Sequence, residues 1–290
     1  MTPMKCAVAD SQRNERHVRS LFVSDVHLGC RYAQPENFLA LLESIRPDEL
    51  YILGDFLDGW KLSAAWRWMP VYTRIVKRLL QLAKTGTSLF YTPGNHDAFL
   101  RCAELRHIIE SVGLNVKVRD EFVFQALDGR RYLVTHGDRF DLVEMHYQWL
   151  SVATSYIYEP ILSFNWWTTR ALGRQGSSPY AMCAFLKDKV KTAVRFISSF
   201  ERELFQHARD RGCDGVICGH IHSPKVLSAD DMMYLNTGDW VENCTALVES
   251  HDGAIRLESH YQGVAPRHVP RATLRRIWEQ PKERLVPQFS

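Results

Sequence analysis

Two periods of apolar recurrence divide the chain into strands and helices. Short apolar runs at 20–24 (SLFVS) and 49–53 (ELYIL) stop abruptly at Asp25 and at Gly54-Asp55, as buried strands do when they open into polar loops. Between them Phe38, Leu39, Leu41, Leu42 and Ile45 recur at helical spacing. After Asp58, a longer helical stripe of Ile75, Leu79, Leu80 and Leu82 ends at Thr85-Gly86 and gives way to a strand at 88–91 (SLFY). Further short strands are predicted at 115–118, 121–126 and 131–135. A helix-rich stretch follows from about 141 to 211, then strands at 215–218, 225–228, 233–236 and 244–249. Mixed β-α units flanking two runs of strands predict an α/β fold in four layers, αββα, with two mixed sheets packed together and helices outside.

With 290 residues, 46% hydrophobic and 24% charged, the chain can bury a sizeable core, and no Gly/Ser linker separates two cores. One domain is expected over residues 20–262, including a helical insertion at about 141–211. A loose arm (1–19) would precede it and a tail (263–290) follow. The formal charge is +3, but residues 266–290 carry Arg267, Arg271, Arg275, Arg276, Lys282 and Arg284 against Glu279 and Glu283, so that this tail is +4 and the body −1. Such a body offers little to a nucleic-acid backbone, and no nucleic-acid partner is expected. The tail, with Trp278 and Leu285 among its cations, fits an anionic membrane face or a solvated terminus. Seven cysteines without a CxxC pair read as reduced thiols, and the charged N-terminus has no apolar signal region. No run reaches the ~18 apolar residues of a membrane span. The expected location is cytoplasmic, with peripheral contact at the cytoplasmic face of the inner membrane left open, and no obligate protein partner is evident.

The chemistry lies at the strand ends. Asp25-Val26-His27 follows the first strand, Gly54-Asp55 through Asp58 the second, and Gly94-Asn95-His96-Asp97 the third. Thr135-His136-Gly137-Asp138 and Cys218-Gly219-His220-Ile221-His222 follow two more. In open α/β architectures the carboxyl ends of strands line the ligand crevice, so these five loops should converge. Each motif alone has a duller explanation, since Asp-x-His recurs by chance and a lone His136 is as well explained as a core histidine. Five together, with glycine beside the donors of four so that backbone can approach an ion, point to metal. Carboxylate, imidazole and amide donors without thiolate suit Mn²⁺, Fe²⁺ or Zn²⁺. Seven donors exceed the needs of one ion but serve two if a carboxylate bridges, and two such ions clamp a phosphate ester.

These motifs resemble the calcineurin-like metallophosphoesterase superfamily, whose pattern is D-x-H, GD-x-x-D, GNH-D/E, a lone His, then GH-x-H. The resemblance covers about residues 20–250. It implies two divalent ions, Mn²⁺ first among the candidates. Asp25, His27, Asp55 and His222 would hold one ion, and Asp55, Asn95, His136 and His220 the other, with Asp55 bridging. It further implies in-line attack of a hydroxide shared by the ions, with His96 meeting phosphoryl charge and giving a proton to the leaving group. Asp97 would orient His96, and Asp58 would hold a ligand histidine.

Within the superfamily the chain is most similar to the bacterial UDP-2,3-diacylglucosamine hydrolases of lipid A synthesis. ILGDFLDGW, with Trp60 five residues after the bridging aspartate, THGD around His136, GHIHSP and the helical insertion carry that likeness. It implies a phosphoester substrate, a lipid-linked sugar nucleotide cleaved to UMP and a lipid-sugar phosphate, with Trp60 at the substrate. The insertion has a matching composition: residues 147–167 hold seven aromatics (Tyr147, Trp149, Tyr156, Tyr158, Phe164, Trp166, Trp167), where the chain average of 11% would give about two. That suits an apolar lid over acyl chains, or ordinary core. Arg170, Arg174 and Lys187 are candidate partners for a substrate phosphate, or a solvated face. The lipid A hydrolases commonly carry Arg where this chain has His96. A soluble nucleotide or cyclic-nucleotide phosphodiesterase therefore stands as the alternative, whereas a ligand-free scaffold conflicts with the intact donor set.

Overall fold

The computed structural model describes residues 15–30, 32–59, 68–141, 199–229 and 231–261. Two mixed sheets carry the fold, with helices against them, as the α/β sandwich expectation requires. Strands β1 (Arg16–Val23), β2 (Ile45–Leu53), β3 (Ser88–Thr92) and β4 (Val116–Val118) run parallel. The antiparallel β10 (Thr245–Glu249) and β11 (Ile255–Ser259) complete a six-stranded sheet in the order β11-β10-β1-β2-β3-β4. The second sheet has the order β5-β6-β7-β9-β8, built from Glu121–Gln125, Arg131–Thr135, Gly215–Cys218, Met232–Asn236 and, for β8, Lys225–Ala229.

Alternation places one set of side chains between the sheets. Phe22, Tyr51, Leu53 and Leu247 from the first sheet meet Phe124, Tyr132, Val134, Ile217 and Leu235 from the second. Tyr51 stacks between Phe22 (centroids 4.7 Å apart) and Phe90 (4.5 Å), while Phe124 meets Phe22 edge-on at 5.0 Å. Removing such a ring, as in Phe124→Ala, costs roughly 3–5 kcal/mol. Fully buried Glu249 also ties the layers together, accepting from Ser20 Oγ (3.2 Å) in the first sheet and from the Leu127 backbone (2.8 Å) in the β5–β6 turn, and pairing with Arg19.

Helices α1 (Pro35–Ser44) and α2 (Pro70–Lys84) each begin with proline at the first turn, where its missing N–H is harmless. Their buried faces are Phe38, Leu39, Leu41 and Leu42, and Val71, Tyr72, Ile75, Leu79 and Leu82. Against the other sheet, a helix over 199–210 packs Phe200, Leu204 and Ala208 onto Leu133, Val216 and Tyr234.

Several boundaries depart from the sequence-based expectation. Ile45 starts β2 instead of ending α1; it is buried either way, and periodicity cannot separate the two. Residues 16–19, expected in the loose arm, are strand: Arg16 pairs with Glu258 and Arg19 with buried Glu249, polar contacts that a search for apolar runs does not register. Helix α3 (Ala103–Ser111) and β11 were not foreseen; α3 has no buried residue, and β11 has none either. The arm through residue 14, Trp60, the insertion residues 142–198 with Arg170, Arg174 and Lys187, and the tail 263–290 lie outside the described residues. Among the described residues no helix is long and apolar enough to cross a membrane.

Candidate metal centre

The loops after β1, β2, β3, β6 and β7 meet at one edge of the sandwich. Backbone bonds zip the first two together, Asp25 N–H to Gly54 O (3.1 Å), His27 N–H to Asp55 O (2.8 Å) and Leu28 N–H to Phe56 O (2.9 Å), and Gly219 N–H reaches His136 O (3.1 Å). Six non-glycine residues among those described adopt positive φ, and five of them are Asp25, His27, Asp55, His220 and His222. Such backbone costs free energy and persists where surrounding structure over-determines it, most often at functional sites. Two glycines make the approach feasible. A Cβ on Gly94 would lie 2.2 Å from Asp55 Oδ1 and 2.8 Å from His136 Nε2, and one on Gly219 would lie 2.3 Å from Ser24 Oγ and 2.5 Å from Asp25 Oδ2.

The donors then crowd together. Asp25 Oδ1 is 3.3 Å from His222 Nε2 and 3.8 Å from His27 Nε2, and the two imidazole nitrogens are 3.3 Å apart. Asp55 Oδ2 is 3.5 Å from His136 Nε2, 3.9 Å from His27 Nε2 and 4.0 Å from His96 Nε2. Asn95 Oδ1 is 3.2 Å from His136 Nε2. Three overlapping groups have ligand atoms within 4.8 Å of one another: Asp25/His27/His222, His27/Asp55/His96 and Asp25/Asp55/His136. Asp25, His27 and Asp55 each belong to two of them, so the groups form one continuous cluster. Among the described residues His220 joins none of these groups. Its ring lies 5.2 Å from that of His136, and its Nε2 lies 3.0 Å from Asp141 Oδ2.

A cation fits this arrangement. Asp25 is fully buried, yet its Oδ1 has no hydrogen-bond partner; its Oδ2 is held by Ser24 Oγ and by the His220 N–H at 3.0 Å. An orphaned carboxylate oxygen in that position is costly unless a positive charge sits beside it. Burial resists ionisation of Asp25, but His222 and then His136 outweigh it and bring its pKa to about 2. Burial likewise opposes charge on Asp55, and His136, His96 and His27 override it, holding the carboxyl well below its ordinary range. The reciprocal effect falls on the imidazoles. Burial disfavours protonated His136 and His222, but Asp55 for the first and Asp25 for the second raise both above the ordinary histidine value. For His27 burial wins over Asp25 and Asp55, and its pKa falls to about 4. Two ionised, buried carboxylates thus draw protons to positions that divalent ions would fill.

A supporting tier holds the donors in place. His136 Nδ1 donates to Leu53 O at 2.7 Å, which turns Nε2 toward Asp55. His96, 20% exposed at the side chain, has its Nδ1 3.1 Å from Asp58 Oδ1. Asp58 thus meets His96, the contact that was expected of Asp97. Asp97, fully buried, instead accepts from the backbone N–H of Gly94 (2.6 Å) and Phe56 (2.9 Å) and from the Tyr91 hydroxyl, tying the third loop to the second. Lying next to His96 in sequence made it seem its partner. Asp141 went unnoticed because an aspartate beside a helical pattern carries no motif.

The stretch Asn236–Asn243 buttresses the centre from beneath. Asn236 Nδ2 donates to Gly219 O (2.8 Å), Ser24 Oγ bonds Thr237 Oγ1 (2.5 Å) and Gly238 O (2.9 Å), and Asn243 Nδ2 donates to His222 O (3.1 Å). Trp240, fully buried against Phe38, anchors that loop, and its backbone N–H meets Asp25 O at 3.0 Å.

An αββα sandwich with a histidine-carboxylate cluster at its strand ends defines a metal-dependent phosphoesterase. Residues 18–224 match the model of the calcineurin-like phosphoesterase family, and the chain belongs to that family; it is a phosphoesterase hydrolase. A UDP-2,3-diacylglucosamine hydrolase of Aeromonas salmonicida is 28% identical over 252 residues, covering 82% of this chain and 92% of its own. One from Vibrio cholerae is 25% identical over 262 residues, covering 84% and 98%. Among solved structures, a phosphoesterase from E. coli aligns over 83% of this chain and 99% of its own at 14% identity with a TM-score of 0.40.

Proposed function

We propose that the chain hydrolyses the pyrophosphate of a UDP-2,3-diacylglucosamine-like lipid-sugar nucleotide at a dinuclear centre, releasing UMP and a lipid-sugar phosphate. The carrying observation for the substrate is the likeness, across 82–84% of this chain and 92–98% of theirs, to proteins named for that activity. For the centre it is the placement of Asp55 within reach of three imidazoles. Asp25, His27, Asp55 and His222 would hold one ion, and Asp55, Asn95, His136 and His220 the other. Mn²⁺ is the first candidate, and Fe²⁺ or Zn²⁺ suit the same donors. Bound divalent ions supply Lewis acidity that activates water and offsets charge on the phosphoryl oxygens.

The chain's own groups do the rest. His96, part-exposed and fixed at Nδ1 by Asp58, presents Nε2 toward the space beside Asp55, where it can hydrogen-bond a phosphoryl oxygen and protonate the departing one. Asp97 keeps the loop that carries Asn95 and His96 in register with Asp55, whose Oδ1 accepts the His96 backbone N–H at 2.9 Å. Trp60, Arg170, Arg174 and Lys187 remain candidates for substrate contact, and peripheral contact with a membrane face belongs to the same reading. A second reading, a nucleotide or cyclic-nucleotide phosphodiesterase, is favoured by His96 itself, which follows the general GNHD form. Rates on UDP-2,3-diacylglucosamine, a cyclic nucleotide and an aryl phosphodiester separate the two: preference for the first by orders of magnitude is expected, and preference for the cyclic nucleotide refutes the lipid assignment.

A further inference from the structure

At the opposite end of the six-stranded sheet, His17, Asp48 and His251 form another group whose ligand atoms lie within 4.8 Å of one another. His17 is the second residue of β1, Asp48 the fourth of β2, and His251 stands two residues past β10, in the turn before β11. Because β2 runs parallel to β1 and β10 antiparallel, those three points share one edge of the sheet. The eight positions from His17 to Asp25 span roughly 25 Å at strand rise, so this group is remote from the phosphoesterase centre.

Asp48 divides its carboxylate between the rings, with Oδ1 2.7 Å from His17 Nε2 and Oδ2 3.8 Å from His251 Nε2. The first is a hydrogen bond; the second is too long to be one. The rings meet at 61° with centroids 4.7 Å apart, and both turn Nε2 toward the same carboxylate. Around an ion with bonds of about 2.0–2.2 Å, tetrahedral ligand atoms stand about 3.3 Å apart. The separations here bracket that value, and side chains 48–55% exposed are free to close the difference. Two imidazoles and one carboxylate suit Zn²⁺, Ni²⁺ or Cu²⁺ and not Mg²⁺ or Ca²⁺.

We propose that His17, Asp48 and His251 form a peripheral site for a borderline divalent ion of the Zn²⁺ class, open at its fourth position to water, which clamps the start of β1 to β2 and to the β10–β11 turn. The clamp joins segments more than two hundred positions apart, so an ion held there stabilises the folded chain without touching the reaction.

Zn²⁺ is titrated into the full chain in the presence of saturating Mn²⁺, bound ions are counted by native mass spectrometry, and the melting midpoint is followed. Wild type should take up one equivalent more than H17A/H251A and gain several degrees with Zn²⁺, a gain absent from the double variant. Without Zn²⁺ the double variant should match wild-type turnover. D55N, altered in the buried centre, should keep the extra equivalent. Equal uptake by wild type and H17A/H251A overturns the proposal. So does loss of the extra equivalent in D55N, which would place that ion in the phosphoesterase centre.

Discussion

Gly94→Ala tests whether the close approach of the loops after β2, β3 and β6 makes the centre. The new methyl would start 2.2 Å from Asp55 Oδ1, 2.8 Å from the Asp55 backbone nitrogen and 2.8 Å from His136 Nε2, where ordinary contact begins at 3.4 Å. Reaching that contact requires the Asp55 carboxylate to move by about 1.2 Å. Nothing nearby yields: Asp55 Oδ1 is fixed by the His96 N–H, and His136 is fully buried with Nδ1 bonded to Leu53 O at 2.7 Å. Overpacking of this kind costs about 1–3 kcal/mol, and a misplacement near 1 Å at reacting groups costs on the order of 100-fold in rate. Urea unfolding, metal content and kcat/KM on one purified sample give the three readouts. The expected outcome is a chain still folded by a cooperative transition, with depleted metal and a rate at least about 100-fold lower. Gly113→Ala is the control, since its Cβ meets nothing within 4 Å while its φ is +77°. It should lose about 1 kcal/mol of stability and keep its rate. A G94A protein with wild-type metal content and a rate within threefold of wild type would refute the reasoning.

Asp58→Asn should lower kcat about 10- to 100-fold while metal content and KM stay near wild type, because it releases the His96 ring; an unchanged kcat removes His96 orientation from the account. Asp97→Asn should instead cost roughly 1–3 kcal/mol in urea unfolding, since an amide NH₂ meets backbone donors from Gly94 and Phe56. Chelation should abolish turnover and lower the melting midpoint, with Mn²⁺ restoring both, and full activity after exhaustive metal removal would sink the dinuclear reading. Burial works against charge on Glu258, but His260 and Arg16 prevail and hold its pKa at about 2 against an ordinary 4.5. Its stabilising contribution is therefore complete above pH 4.5 and lost as pH falls toward 2. Being partly exposed, it is worth about 1 kcal/mol, and E258Q should flatten the pH dependence of urea midpoints in that window; an unaltered profile contradicts it.

Much of the centre was legible in the one-dimensional pattern because the fold places strand ends on one edge. An apolar run followed by Asp-x-His, Gly-Asp or Gly-Asn-His carries both its element and its chemistry in adjacent residues, so Asp25, His27, Asp55, Asn95, His136, His220, His222 and His96 could be named without coordinates. What sequence could not decide is which side chain faces which. Asp97 adjoins His96 in the chain, yet its carboxylate caps backbone N–H groups, while Asp58, 38 positions away, meets the ring. The same blindness hid Asp141 behind His220 and the meeting of His17, Asp48 and His251. Periodicity reports how often a residue faces the core, a property of neighbours along the chain. Pairing between remote carboxylates and imidazoles depends on strand register and on backbone turned to positive φ at five of the motif residues, and only the packed sheets determine those.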